Sequence, residues 1–390
     1  MEHPLDRGRA LAVAGVAVAL ASAPLLLLGP GTDLDVGAVI ASGRMLVEDH
    51  SYRASRPPGA PVHELGVGLL SEVGGTVASN LGSLVCAGVV VTAVVLLLRQ
   101  SGVPRVGLIA AFVVANPWFL VAATSTVDFL WALAFLLTAA VLVRSGRPLP
   151  AGLFAALAIG CRLSTAALVA TLVLAEALDD GEGRRRAALL AAVAAAGAAL
   201  VYLPSFLAAG SSLAFAQNDV PTSTALTQFG RFAVKDLYFL GPFAAIVLLL
   251  CAPALLATLR RWRADWVVRF SWSGLVISQL LFLRFPWKMG HLLPSLVFLA
   301  LLLGVGLRDR PRLLVALVAA HLLYGAVNLQ LVEPDNPNAA TGGRLTFDPG
   351  WGALVIDTQC RVEDRSAWKA GRQRIEAVWN CAKPWSNQPD

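Results

Sequence analysis

The chain reads as an all-α polytopic membrane protein of about eleven transmembrane helices, and three observations predict it. Hydrophobic residues make up 57% of the 390, charged residues only 14%, and the mean hydropathy is +0.68. A soluble chain carries roughly 25% charged residues. Apolar runs of about 17–25 residues recur along most of the length, as lipid-spanning helices require. Basic residues gather in alternate loops: Arg7/Arg9, Arg99/Arg105, Arg144/Arg147, Arg184–Arg186, Arg260–Arg269 and Arg308–Arg312, which hold sixteen of the 31 Lys and Arg. The bias of Lys and Arg toward the cytoplasm places all six loops there. The pI of 9.4 is then a consequence of topology, and no nucleic-acid partner is expected.

With those loops placed, the spans follow in order. Residues 10–28 follow Arg7 and Arg9, but the run is too long for a signal peptide and ends in Pro24 and four leucines. It reads as an uncleaved first span running outward. The second span is expected at 76–98, the third at 105–122 and the fourth at 126–143, with Asn116-Pro117-Trp118 near the outer end of the third. Residues 149–178 lie between two basic loops and are too long for one helix, so two short helices should meet near Gly160-Cys161-Arg162. The seventh to eleventh spans fall at 187–203, 238–259, 269–285, 291–307 and 312–331. An odd count leaves the N-terminus cytoplasmic and the C-terminus outside, in a multi-pass plasma (inner) membrane protein. Residues 1–331 form the transmembrane unit and 332–390 an extracytoplasmic segment.

Three outer segments are too long for turns: 29–75, 204–237 and the tail from Val332. Long loops that are not linkers are usually functional, and these three share one side. The tail holds four of the ten Trp, seven basic residues and two of the five Cys. Cys86, Cys161 and Cys251 lie in or beside spans, where Cys acts as a small apolar residue. Cys360 and Cys381 lie outside, where oxidation is permitted, and a disulfide between them is expected.

The first outer loop is the most informative stretch. Asp33-Leu34-Asp35 follows a span directly, at a boundary where charge is expensive unless paired or used. A partly desolvated carboxylate there should have a raised pKa and act as a general base on an acceptor hydroxyl. The pair could instead hold a divalent ion, or cap the next helix. Further on, Arg56-Pro57-Pro58-Gly59-Ala60-Pro61 cannot continue a helix and forces an extended bend. His63 and Glu64 then open an apolar helical piece. In the turn between spans nine and ten, Arg284, Lys288 and His291 are cations on the side that the charge bias disfavours. They either snorkel to head groups or bind a phosphate, with Lys288 the best candidate. Arg162 sits where an unpaired charge is costly and should pair with Asp128 or Glu64. Arg56 should hold the first loop through an Asp or backbone carbonyls. His321, in mid-span, should be a hydrogen-bonded interhelical residue.

An Asp pair after the first span, Met45-Leu46 ten residues on, then Arg-Pro-Pro-Gly-x-Pro entering a helix resembles the C-type (GT-C) glycosyltransferases. The likeness is to those drawing sugar from polyprenyl-phosphate carriers, the protein O-mannosyltransferase and aminoarabinose transferase group. Asn116-Pro117 with Asp128, Gly160-Cys161-Arg162, and Lys288-Met289-Gly290-His291-Leu292-Leu293-Pro294 resemble further stretches of that family, across about residues 10–330. The resemblance implies a first-loop Asp as base and basic residues on the donor phosphate: Lys288, Arg284, His291 and Arg162. Glu64, His63, Arg56 and Asp128 would support the acceptor or the loop. The family pair is Asp-Glu; here it is Asp33-Leu34-Asp35. Counting back from Met45 favours Asp35, and a one-residue gap restores Asp33.

No phosphate-cradling Gly-rich loop and no zinc-spaced Cys/His cluster occurs. Nucleotide sugars are on the cytoplasmic side, so a donor used on the outer side should be membrane-borne, with membrane lipids as partners. The acceptor would be a glycan, lipid or protein. No cofactor is expected to be required, with a divalent metal at Asp33/Asp35 the exception to test. The rival class is a transporter or lipid-linked sugar flippase, which would place ionisable groups at mid-bilayer on repeated, broken helices.

Overall fold

A computed structural model describes residues 22–332, apart from Leu34, Asp180, 211–223 and Trp287, and residues 346–362, apart from 353, 356, 359 and 360. Most of the expected first span, and both Cys360 and Cys381 of the expected disulfide, lie outside the described residues. Cys86, Cys161 and Cys251 are free thiols.

Helix α1 (Val36–Glu48) lies in the first long loop and packs on α2 (Pro61–Gln100). That 40-residue helix is broken at Gly74–Gly75, where Gly75 has φ 59°. The break divides the helical piece carrying His63 and Glu64 from the expected second span. The α1–α2 crossing is tight because Gly43 meets Gly68. A Cβ on Gly43 would lie 2.5 Å from the Glu64 carbonyl and 2.7 Å from the Gly68 nitrogen. Gly43→Val should therefore lower stability by about 1–3 kcal/mol, read as a lower thermal-unfolding temperature in detergent.

Helices α3 (Val106–Ala115) and α4 (Pro117–Ala123) bend 76° at Asn116. Pro117 cannot continue α3, and the Asn116 side chain caps α4 by accepting from Trp118 N and Phe119 N at 3.0 and 3.2 Å. Helices α5 (Phe129–Arg144), α6 (Pro148–Cys161) and α7 (Thr165–Ala177) follow, and α6 and α7 meet at Arg162 as the sequence spacing predicts. Then come α8 (Gly183–Ala208), the second-loop helix α9 (Ala225–Leu240), α10 (Pro242–Thr258), α11 (Trp266–Arg284), a 3₁₀ turn (Met289–Leu292), α12 (Leu293–Gly306) and α13 (Pro311–Ala326). The eighth span starts a few residues later than expected, since 238–240 complete α9 and Gly241 breaks the chain.

Five described helices are long and apolar enough to cross a bilayer, or six with the bent α3–α4 pair taken as one; α5, α6, α7 and α13 are apolar but shorter. The count of eleven is therefore not established by helix length. The eleventh span is also shorter than expected. Residues 327–331 leave the helix and enter β1 (Val327–Val332), antiparallel to β2 (Thr346–Trp351), with Val327 opposite Trp351. The reason is legible in Val-Asn-Leu-Gln-Leu-Val, whose alternation has the period of a strand.

The interior is aliphatic, with α5, α6 and α12 most deeply enclosed. His321 behaves as expected: it is buried, its Nδ1 lies 3.1 Å from the Phe112 carbonyl, and its ring stacks on Phe112. One end of the bundle is tied by the basic loops themselves. Arg186 pairs with buried Glu176 at 2.6 Å, while Arg144 and Arg269 reach Asp179 at 2.6 and 3.3 Å. The opposite end carries the site.

Candidate active site

Three carboxylates and three cations alternate where the first loop meets α5, the α6–α7 junction and the turn before α12. Lys288 Nζ donates to Asp33 Oδ1 at 2.7 Å and lies 2.8 Å from Asp35 Oδ2. Arg56 donates to Asp35 Oδ2 at 2.6 Å and, with its other terminal nitrogen, to Asp128 Oδ2. Arg162 donates to Asp128 Oδ1 at 2.8 Å, and its guanidinium lies 4.4 Å from the centre of the Phe129 ring. Its Nη2 is 2.8 Å from His291 Nε2, and His291 Nδ1 is 3.2 Å from the Phe285 carbonyl. A guanidinium has no acceptor, so His291 receives from Arg162 at Nε2. It therefore carries its proton on Nδ1, which donates to Phe285. His291 is accordingly neutral here.

Local structure positions each group. Asp35 stands at the N-cap of α1 but makes no capping bond. Asp33 Oδ1 instead accepts the Asp35 backbone N–H at 2.9 Å, and Asp35 turns to Lys288 and Arg56. The helix-cap reading of the pair is thus not what the side chains do. Asp128 is almost fully buried and needs both arginines, since a buried carboxylate left unpaired is strongly destabilising. Lys288 immediately precedes the 3₁₀ turn that leads into α12, and His291 lies within that turn.

The electrostatics correct one expectation. Burial pushes the Asp35 carboxyl up, but Lys288 and Arg56 outweigh it and hold the pKa below the ordinary 3.8. The desolvated Asp with a raised pKa that the sequence suggests is overruled by two adjacent cations. Burial likewise opposes the charge on Arg56, yet Asp128, Asp35 and Asp33 raise its pKa above the usual arginine range.

A cavity of about 450 Å³ opens among these groups. Asp35, Arg56, Asp128, Arg162, Lys288 and His291 line it, with Phe129, Leu168, Phe282 and Phe285 forming apolar wall. Asp33 is not on the lining; it sits behind Lys288. Glu64 is fully buried away from the cavity and holds the loop: it accepts from Tyr52 Oη at 2.6 Å and from Ser55 N at 2.9 Å. Burial and the Glu64 charge push the Tyr52 phenol above its ordinary range. His63 is buried edge-on against Trp131, with no hydrogen-bond partner for either ring nitrogen among the described residues. It faces no acceptor in the cavity. Arg284 is exposed at the last turn of α11, over the Phe285 ring and off the cavity lining, so it stands apart from Lys288 and His291.

Sequence reasoning missed Tyr52 and Ser55, which are ordinary loop residues until Glu64 is placed beneath them. It also missed Lys235, a buried residue of α9. Burial and the like charges of Arg231 and Lys288 push its ammonium down to about 7. The amphipathic pattern of α9 with a Lys on the inward face was the available signal.

For a divalent metal, the fit at Asp33 and Asp35 is poor. Lys288 already bridges the two carboxylates and Arg56 takes the remaining side of Asp35, so an ion would have to displace a cation.

No family model matches the chain, and no curated protein matches it in sequence. Two solved structures match it in shape, both of ArnT, an aminoarabinose transferase of GT-C fold, from Cupriavidus metallidurans. Against the apo state the TM-score is 0.57 at 17% identity, covering 96% of this chain and 74% of that one. Against the structure bound to undecaprenyl phosphate it is 0.63 at 16% identity, covering 96% and 75%. Over nearly its whole length, the chain therefore has the GT-C fold that its first-loop, hairpin and Leu-Leu-Pro motifs resemble.

Proposed function

We propose that this chain transfers a sugar from a polyprenyl-phosphate carrier to an acceptor hydroxyl of a glycan, lipid or protein, on the extracytoplasmic face and with inversion. One observation carries the reading. A single cavity brings a carboxylate, Asp35, beside three groups suited to a phosphate, Lys288, Arg56 and Arg162, in a fold shared with a protein solved with undecaprenyl phosphate.

The chemistry follows from those groups. Asp35 takes the proton from the acceptor hydroxyl as its oxygen bonds to the anomeric carbon. The carbon–oxygen bond to the carrier breaks, and its electron pair leaves on the polyprenyl phosphate. The leaving phosphate gains negative charge, which Lys288 and Arg162 stabilise. His291, neutral and bound to Arg162 and Phe285, keeps that arginine aimed. A phosphate monoester leaves without protonation at neutral pH, so no second acid is needed. Lys288 moving from the two Asp to the donor phosphate would also release Asp35 from the cation that depresses its pKa, so donor binding would switch on the base. The apolar cavity wall suits the first prenyl units.

The test is transfer of radiolabelled sugar from polyprenyl-phosphate-mannose, and from its arabinose analogue, by the lipid-reconstituted protein with and without EDTA. Label reaching an acceptor supports the reading. No transfer from any carrier, together with no binding of polyprenyl phosphate, would sink it. Activity unchanged by EDTA is expected, since cations of the chain already neutralise the carboxylates.

Lys288→Ala gives an independent check. It should weaken polyprenyl-phosphate binding by roughly 1.5–3 kcal/mol, the range for a charge-assisted hydrogen bond. It should also move the acid limb of the pH–rate profile upward, because burial then acts on Asp35 with less opposing charge. Calorimetric titration and a pH series on the same preparation measure both.

A further inference from the structure

The last described turn of the chain closes onto the loop that carries the candidate base. Asp357 and Arg361 lie one helical turn apart, their side chains 5% and 1% exposed, and form an ion pair at 2.8 Å. A buried guanidinium needs acceptors on every side, and Arg361 finds them on two other segments. It donates to the carbonyls of Thr124 at 2.7 Å, Val121 at 3.2 Å and Leu25 at 3.3 Å, and to Ser125 Oγ at 2.6 Å. Asp357 in turn accepts from Thr32 Oγ1 at 2.7 Å. Thr32 directly precedes Asp33.

The segments so gripped are also tied to each other. The Thr126 N–H donates to the Pro30 carbonyl at 2.7 Å. A Cβ on Gly31 would lie 2.6 Å from Ser125, so the backbone of the first loop lies against the α4–α5 connection. Beyond Thr32, the turn bearing the two Asp has local bonds of its own: Asp35 N to Asp33 Oδ1, and Val36 N to the Asp33 carbonyl at 3.2 Å. Its orientation toward Lys288 is therefore set from Thr32 and from α1.

We propose that Asp357 and Arg361 are positioning residues: the C-terminal segment clamps residues 30–32 against the α4–α5 connection and so holds Asp33 and Asp35 against Lys288. The turn bearing Asp357 and Arg361 is thus a working part of the site, acting through Thr32 without touching substrate. Its catalytic consequence rests on the proposed sugar transfer, but the clamp itself does not.

The experiment compares Thr32→Val and Arg361→Gln with wild type in lipid nanodiscs. Thr32→Val keeps shape and removes one hydroxyl, so it folds even where the arginine variant does not. Amide hydrogen exchange at Asp35 and Val36 should accelerate in Thr32→Val, while its thermal-unfolding temperature falls by no more than about 4 °C, the equivalent of one lost hydrogen bond to a buried acceptor in a chain of this length. In transfer assays kcat should fall roughly tenfold, the equivalent of one hydrogen bond's positioning energy, with the donor KM unchanged. Unchanged exchange at both amides, or faster exchange with wild-type kcat, overturns the clamp. A wild type that neither transfers sugar from any carrier nor binds polyprenyl phosphate sinks the glycosyltransferase reading instead, and the exchange comparison then decides the clamp alone.

Discussion

Asp35→Asn should abolish sugar transfer, lowering kcat by about 10³-fold, within the range that general base catalysis supplies, while polyprenyl-phosphate binding persists. Asparagine keeps the size of Asp35 and can still meet Arg56, but it cannot take a proton. Asp33→Asn should cost roughly tenfold or less, because Asp33 lies behind Lys288, off the cavity lining, and contributes by accepting one hydrogen bond from that lysine and one from the Asp35 backbone N–H. The pH dependence separates the two further. Asp35 has its pKa held below 3.8 by Lys288 and Arg56, so in the free enzyme it is ionised across the neutral range, and the acid limb of kcat/KM should lie below the ordinary carboxylate value. The same depression means that the ion pairs of Asp35 support the fold fully at neutral pH, and lose that support as pH falls from 3.8 through the lower folded value. A larger loss at Asp33 than at Asp35 would assign the base to Asp33, and equal losses would overturn the assignment to Asp35.

The largest effect on stability is expected at Asp128. Its carboxylate is 3% exposed and holds Arg56 with one oxygen and Arg162 with the other. Asp128→Ala leaves Arg162 without a carboxylate and Arg56 with Asp35 alone, which should destabilise the protein by about 3–5 kcal/mol. For a chain of this length the melting temperature should fall by about 4–6 °C. Because Arg162 also orients His291, transfer should fall even in the fraction that stays folded. Adding Arg162→Gln to Asp128→Asn should recover part of the stability, since the charge left unpaired is then removed, but none of the activity. Thermal unfolding in detergent, followed by tryptophan fluorescence, reads the first result. A single Asp128→Ala variant as stable as wild type would mean that the two arginines find solvent, and that the ion network does not organise this end of the bundle.

Much of this was legible in the linear chain because its signals are local. Apolar length marks where most of the described helices lie. Two consecutive prolines after Arg56 announce a bend, and Asn116-Pro117 announces another. The 29 residues or so between two basic loops demand a pair of helices meeting at Arg162. That Arg162 pairs with Asp128 or Glu64 could be expected because a charge at that depth needs a partner; only the structure chose Asp128. The strand at Val327–Val332 shows where a local signal was misread: apolar content extended the helix, although period two was present in the residues.

What the sequence determined by itself is the membrane class, the order of helices and the set of polar residues able to do chemistry, because each depends on composition and short-range periodicity. Tertiary structure alone decided which of those residues act together. Lys288 meets Asp33 across 255 positions, Thr32 meets Asp357 across 325, and Arg284 is left outside while Lys288, four residues on, is inside. It also reversed the expected sign of the Asp35 shift. The reason is physical. Burial and charge pairing depend on which distant segments are brought within a few ångströms, where Coulomb interaction in a low-dielectric interior is strongest, and no local pattern in one chain encodes that distance.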